Sequence, residues 1–508
     1  MPLVSLTAFL LFVMTSSSAS AGPMDCFTAA ASGQRVTACT ETIADEAIED
    51  ALRARAYLAR SELRRQSRDF EGALADIDAA EGLGGIDVTA RLTRARLKSF
   101  TGLNETALDE LDLVIGADPG MTDAYLLRAE ILLRLGDTDA AMADLGEVRR
   151  LNPNDPGPYR VRGRTFLRSG DARAAVGELQ QAVALDASDR SSLSLLGTAH
   201  LRAGQPAEAI QTFDTLLENA PDNLDIRMIR AAAYGQVKNY ESAITDYSLV
   251  LVVRPDDLDA REARGVARLF AEKSDGAEED FTTVLAATPD NQRVSLFRGS
   301  ARFAQQKYEL AEQDFDHVLK RFPNDADTRL NRGLARLALG RPDDAITDFT
   351  AALEAEPDLT LAQRRRAQAY VLAGNFTAAL ADLDSLPAPR PSDSVWRFIA
   401  AKRAKATDAE VALKDMTNAI DPMVWPGALV DGLEGQVTVD VVLREAARDS
   451  DKANARLTET HFVLGQLALA AGQIDLARES FKAAIALGSV DLVEYQGAKL
   501  ELRRVGSE

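Results

Sequence analysis

The side chains with chemical potential are few and scattered. Histidine occurs only as His200, His317 and His461, and none stands at helical spacing from another metal ligand. Ser191 and Ser192 lack the strand-to-helix elbow that exposes a nucleophile, and no glycine-rich phosphate loop follows a strand. Acidic pairs such as Asp256-Asp257 and Glu278-Glu279 fall at loops or helix starts, where capping or the helix dipole accounts for them. This inventory points to no catalytic residue, no metal, no cofactor and no small-molecule substrate. Two constellations remain. Arg160, Arg164 and Arg168 recur every fourth residue and share one helical face, and Arg134 and Arg202 take the place of Arg168 in the flanking segments. Such a strip would attract acidic segments or a C-terminal carboxylate; the alternative is a set of solvated or internally paired arginines. The only cysteines, Cys26 and Cys39, have a spacing that suits no zinc site. In an exported chain they would form a disulfide worth ~3 kcal/mol; in a reducing compartment they would be two buried thiols.

The start of the chain bears on that choice. An apolar stretch from Leu3 to Met14 is followed by Thr15 to Ser18 and then Ala19-Ser20-Ala21, the order of an h-region and an A-x-A cleavage site. The apolar stretch is shorter than the ~20 residues a membrane span needs. Residues 1–21 therefore read as a signal peptide and the mature protein as periplasmic, whereas a start at Met24 would leave it cytoplasmic. Pro23, Met24 and Asp25 do not suit lipidation of Cys26, so no membrane anchor is expected. A formal net charge of −20 argues against nucleic acid and anionic membrane as main partners.

What positions these residues is a repeat. Counting from Ala54, a 34-residue period runs ten times to Asp393 without insertion or deletion. The twentieth place is alanine throughout, from Ala73 to Ala379. The eighth place is small in every copy, as at Ser61, Ala129, Gly265 and Gly333. Proline holds the thirty-second place in eight of the ten copies. Small residues let two antiparallel helices approach, a large apolar residue four places after the alanine fills the space beside it, and proline stops the second helix. No hairpin can bury its apolar face alone, so neighbours must stack.

A charge pattern overlies this one. The seventh place is arginine in nine copies and the twenty-third is acidic in the same nine, for example Arg230 with Asp246 and Arg332 with Asp348. The fifth copy loses both together, having Leu196 and Thr212. Joint loss within one chain predicts an ion-pair ladder, within hairpins or between them. An apolar row at the twelfth place (Leu133, Leu167, Leu201, Leu269, Phe303, Leu337) suits core packing or the floor of a groove.

Stretches such as Arg332-Gly-Leu-Ala-Arg and Gly340-Arg-Pro-Asp-Asp-Ala-Ile-Thr-Asp-Phe, then Pro357, resemble the tetratricopeptide repeat (TPR) family. The resemblance implies an all-α fold, an α-α superhelix of about 11–12 helical hairpins, whose first helices line a concave surface that accepts an extended peptide or a helix. The family's lysine and asparagine carboxylate clamp is not matched. The expected organisation is a helical hairpin with a disulfide over 22–53, ten repeats over 54–393, and a degenerate hairpin with an irregular helical segment over 394–457. In the degenerate hairpin Ala412 and Ala419 would be the small sites. A last repeat and a capping helix take up 458–508. From Trp425-Pro426 through Thr458-Glu-Thr-His-Phe to Val493-Glu-Tyr-Gln-Gly-Ala-Lys-Leu, the chain resembles envelope TPR adaptors of the new-lipoprotein-I type. That resemblance implies an adaptor or scaffold for proteins or peptides of the cell envelope, or an accessory subunit of an envelope hydrolase or protease complex.

Overall fold

The computed structural model describes residues 25–28, 32–406 and 424–506. Among these residues there are helices and turns and no strand. The leader segment 1–21 and the sites Ala412 and Ala419 lie outside the described residues. The chain divides into two compact units, residues 1–222 and 223–508, so the first ends with repeat five and the second begins with repeat six. Each is a stack of antiparallel helical hairpins, the all-α solenoid arrangement that the 34-residue period requires.

The hairpin follows from a few places in the period. In four copies the ring at the twenty-fourth place lies against glycine at the eighth. A Cβ on Gly265, Gly299 or Gly333 would stand 2.7, 2.7 or 2.6 Å from Phe281, Phe315 or Phe349 respectively. These rings are fully buried, as are the alanines at the twentieth place. The turn between the two helices needs a left-handed residue at the fifteenth place. Glycine supplies it at Gly102, Gly136, Gly170, Gly204, Gly340 and Gly374, whereas Arg68, Lys238, Glu272 and Gln306 adopt it with φ of 60–64°. Asp or Asn at the thirty-fourth place caps the next first helix. Asp257 accepts from the Ala260 N–H and Asn291 from the Val294 N–H.

All nine arginine–acid pairs form, and each lies within its own hairpin. Arg60–Asp76, Arg264–Asp280, Arg298–Asp314 and Arg366–Asp382 meet at 2.6 Å, and Arg230–Asp246 at 2.8 Å. Several of these arginines also reach back to the twenty-fifth place of the preceding repeat, as Arg128 does to Asp112 and Arg332 to Asp316, both at 2.6 Å. The ladder therefore has rungs inside hairpins and ties between them. In repeat five Thr212 instead donates to its own helix at the Glu208 carbonyl, and Leu196 is buried among apolar neighbours.

Both ends depart from simple stacking. Cys26, in the turn of helix Asp25–Thr28, is bonded to Cys39 in the helix Ser32–Ala44, and both are fully buried with Ala56 and Leu63. Ser32 and Gly33 begin that helix and form no turn between two helices. Beyond repeat ten, the helix Pro391–Ala404 buries Val395, Trp396, Phe398 and Ile399. It packs against Ala453–Ala470, the first helix of a terminal hairpin completed by Ile474–Ala486, with Gly465 set against Phe481 as in the repeats. That hairpin begins five residues before Thr458, where the sequence pattern put it. The last helix, Val493–Val505, was expected only to cap the stack. It also turns back to lie on the first helices of repeats nine and ten, where a Cβ on Gly497 would come within 2.8 Å of Leu372.

Candidate functional site

The five arginines singled out in the sequence all lie in the first unit, on the first helices of repeats three to five, and each has an internal partner. Arg160 bonds Asp189 at 2.6 Å, the residue that caps the following first helix. Arg164 and Arg168 both meet Glu130 on the previous first helix, at 2.8 and 2.9 Å. Burial pushes the Glu130 carboxyl up, but the two guanidiniums together outweigh it and hold the group below the ordinary carboxylate value. Arg134 donates to the carbonyl and the hydroxyl of Ser99, and Arg202 donates to the Leu167 carbonyl at 3.0 Å. The strip thus stitches one first helix to the next. Its charges remain partly open to solvent, since the Arg168 side chain is 48% exposed.

The second unit carries two crevices on its first-helix face, and of their lining the sequence pattern singled out Phe303 and Leu337, members of the apolar twelfth-place row. One is lined by Gly235, Tyr240, Val266, Phe270 and Phe297, has a volume of about 500 Å³ and is open. The other is lined by Phe303, Tyr308, Leu334, Ala338 and Arg365, the residues 68 positions further along, which is two periods of the repeat. Here the chain fills its own crevice. Val490, Asp491, Leu492 and Val493 sit in it and leave about 150 Å³. The seating is anchored within the segment and just after it. Gln306 donates to Asp491 at 3.3 Å, and the Trp396 indole N–H donates to Glu494 at 3.2 Å. Sequence reasoning reached the twelfth-place row but not the rest of the lining, because those places in the period vary in size from copy to copy.

Beneath the last helix two carboxyls share a desolvated setting. Burial, reinforced by Glu494, pushes the Glu459 carboxyl up to about 7, against the pull of the Trp425 N–H bonded to it at 2.8 Å. Burial likewise raises Glu494, with Arg365 acting in the opposite sense. The histidines are far apart: His200 bonds Gln205 at 2.8 Å, and burial lowers the pKa of His461. Among the described residues no group of three or more His, Cys, Asp and Glu side chains is placed to hold a metal ion, and no helix is long and apolar enough to cross a membrane.

A family model described as a tetratricopeptide repeat matches residues 92–156, 160–224, 194–260, 262–326 and 330–394, together more than half of the chain. Among solved structures, the chain is similar to a tetratricopeptide repeat protein of Parabacteroides merdae. The two share 19% identity over 48% of this chain and 98% of that one, with a TM-score of 0.39. It is also similar to pilF of Pseudomonas aeruginosa, at 18% identity over 42% of this chain and 98% of that one, with a TM-score of 0.35. A thermophilic TPR protein of Thermus thermophilus matches at 24% identity over 35% of this chain and 98% of that one, with a TM-score of 0.32.

Proposed function

The chain belongs to the tetratricopeptide repeat family, and from that premise we propose that it is a non-catalytic periplasmic adaptor or scaffold that holds partner proteins on its first-helix faces. One observation carries the reading: the first-helix face of repeats eight to ten already holds a length of polypeptide, the chain's own Val490–Val493. A surface that seats one segment by side-chain fit and a hydrogen bond from Gln306 to Asp491 has the means to seat another. The arginines Arg134, Arg160, Arg164, Arg168 and Arg202 serve in this reading as a second contact. Each guanidinium carries five N–H donors, so holding a neighbouring helix leaves donors for acidic residues of a guest.

Export is supported by two independent features, the leader-like segment ahead of residue 22 and the bonded Cys26–Cys39 pair. The resemblance of the C-terminal part to new-lipoprotein-I-type adaptors supports a partner in the cell envelope. The test is affinity capture from an envelope fraction with the full chain, alongside fractionation of cells that express it. A defined partner retained by the wild-type chain and released by Arg160→Glu/Arg164→Glu supports the reading. A chain found only in the cytoplasm, or one that captures nothing reproducibly, ends it.

A further inference from the structure

The two crevices of the second unit are copies of one design with different floors. Five pairs of lining residues correspond at a separation of 68: Gly235 with Phe303, Tyr240 with Tyr308, Val266 with Leu334, Phe270 with Ala338, and Phe297 with Arg365. The later crevice shows what the shape accepts, a turn of three apolar residues and Asp491 that runs straight into a helix: Val490 to Val493, then Val493–Val505. The earlier crevice offers the same tyrosine, an aliphatic side chain at the same place, and a deeper floor where glycine replaces phenylalanine. We propose that this open crevice seats the apolar lead-in turn of a helix from another protein, the element that the chain's own C-terminal segment supplies two repeats further on. The inference rests on the adaptor reading and specifies the partner's chemistry at one site.

The one change of character among the five pairs decides between occupants. At the filled crevice the first turn of the seated helix carries Glu494, attracted by Arg365 and bonded to Trp396. At the open crevice Phe297 stands in place of Arg365. The charged residues that line this crevice are Asp259, Glu262 and Arg293, and Arg293 is already bonded to Glu262 at 2.5 Å. A carboxylate brought there would be taken out of water against an aromatic ring and a lining with one negative charge in excess. The C-terminal segment of a second copy is therefore a poor occupant. A segment with the pattern of Val490–Val493 and an apolar residue where this chain has Glu494 is a good one.

A fluorescein-labelled peptide of residues 488–506 with Glu494→Leu tests this directly against the full chain by fluorescence anisotropy. It is expected to saturate at one peptide per chain. Binding should be lost on Val266→Arg and on Phe270→Asp, the latter at a side chain 57% exposed and stacked on Tyr240. The peptide with native Glu494 is expected to bind about tenfold more weakly or worse. Binding that survives both substitutions overturns the site. Equal binding of the native peptide overturns the partner assignment in favour of a second copy. Absence of binding to the wild-type chain overturns the segment chemistry. If Phe270→Asp leaves capture of the envelope partner intact while Arg160→Glu/Arg164→Glu abolishes it, this inference falls and the adaptor reading stands. If the wild-type chain captures nothing, the adaptor reading falls with it.

Discussion

At the scale of the residue, Arg366 and Asp382 isolate what one rung of the ladder contributes, because neither meets a second opposite charge in the ion pairs of the described residues. The guanidinium donates through two nitrogens to both carboxylate oxygens, at 2.8 and 2.6 Å, and that bond raises the arginine pKa. Removing one partner strands the other in a largely desolvated place. Arg366→Met and Asp382→Leu should each cost about 2–4 kcal/mol in thermal or urea unfolding, and the double variant clearly less than their sum. Strictly additive losses would mean that the two side chains do not act as a pair. A second residue-scale expectation concerns Glu459, whose carboxyl is raised to about 7 from an ordinary value of 4.5 by burial and by Glu494. A carboxyl raised on folding contributes stability that is full below its unfolded pKa and is lost as pH climbs through the folded one. Relative to Glu459→Gln, the wild-type chain should therefore lose about 1–3 kcal/mol between pH 4.5 and pH 7. The groups around the pair are Arg365, the Trp396 and Trp425 N–H donors, and Arg456 over the Trp425 ring. A stability difference that stays flat across this range would show that the two carboxyls are solvated.

At the scale of the element, the contact that sets helix separation is glycine at the eighth place against phenylalanine at the twenty-fourth. All four copies with phenylalanine there have glycine opposite, whereas copies with leucine tolerate alanine, as Ala95 does with Leu111 and Ala129 with Leu145. Gly333→Ala should accordingly cost about 1–3 kcal/mol, since its Cβ would stand 2.6 Å from the Phe349 ring. Adding Phe349→Leu should recover part of the loss, as a melt of the single and double variants would show. A Gly333→Ala variant as stable as the wild type would mean that the helices can shift apart freely. The fold was legible in the sequence because it repeats at a fixed period, and so were a small eighth place and a large twenty-fourth, whereas the contact between them comes from the structure. The partnership of the ladder was legible too, from its joint loss at Leu196 and Thr212. Its direction was not, because a pair within a hairpin and a pair across the next turn are separated by nearly equal lengths of chain. The arginine strip shows the limit more sharply. Helical spacing put Arg164 and Arg168 on one face, but Glu130, which holds both, is 34 residues before the first of them. Nor does periodicity announce the return of the C-terminal segment, which meets Gln306 across 185 residues.

At the scale of the whole molecule, that return changes how stability is distributed. A simple repeat stack is quasi-one-dimensional: each hairpin leans on its neighbours, and a local lesion spreads no further than adjacent interfaces. In the second unit Val493–Val505 adds a clasp, because it packs on the terminal hairpin and also on the first helices of repeats nine and ten. The clasp depends on close approach at Gly497, where a side chain would run into Phe462 at 2.7 Å and Leu372 at 2.8 Å. Gly497→Leu should therefore loosen more than the last helix. In hydrogen exchange, amides of 326–373 and of 453–505 should both exchange faster than in the wild type, while those of 54–190 keep their protection. The same variant should expose the crevice that Val490–Val493 fills and let the unmodified 488–506 peptide bind there, with Arg365 available to its Glu494. Faster exchange confined to 493–505, with 326–373 unchanged, would reduce the last helix to an end cap and remove the precedent on which polypeptide binding by this face is argued.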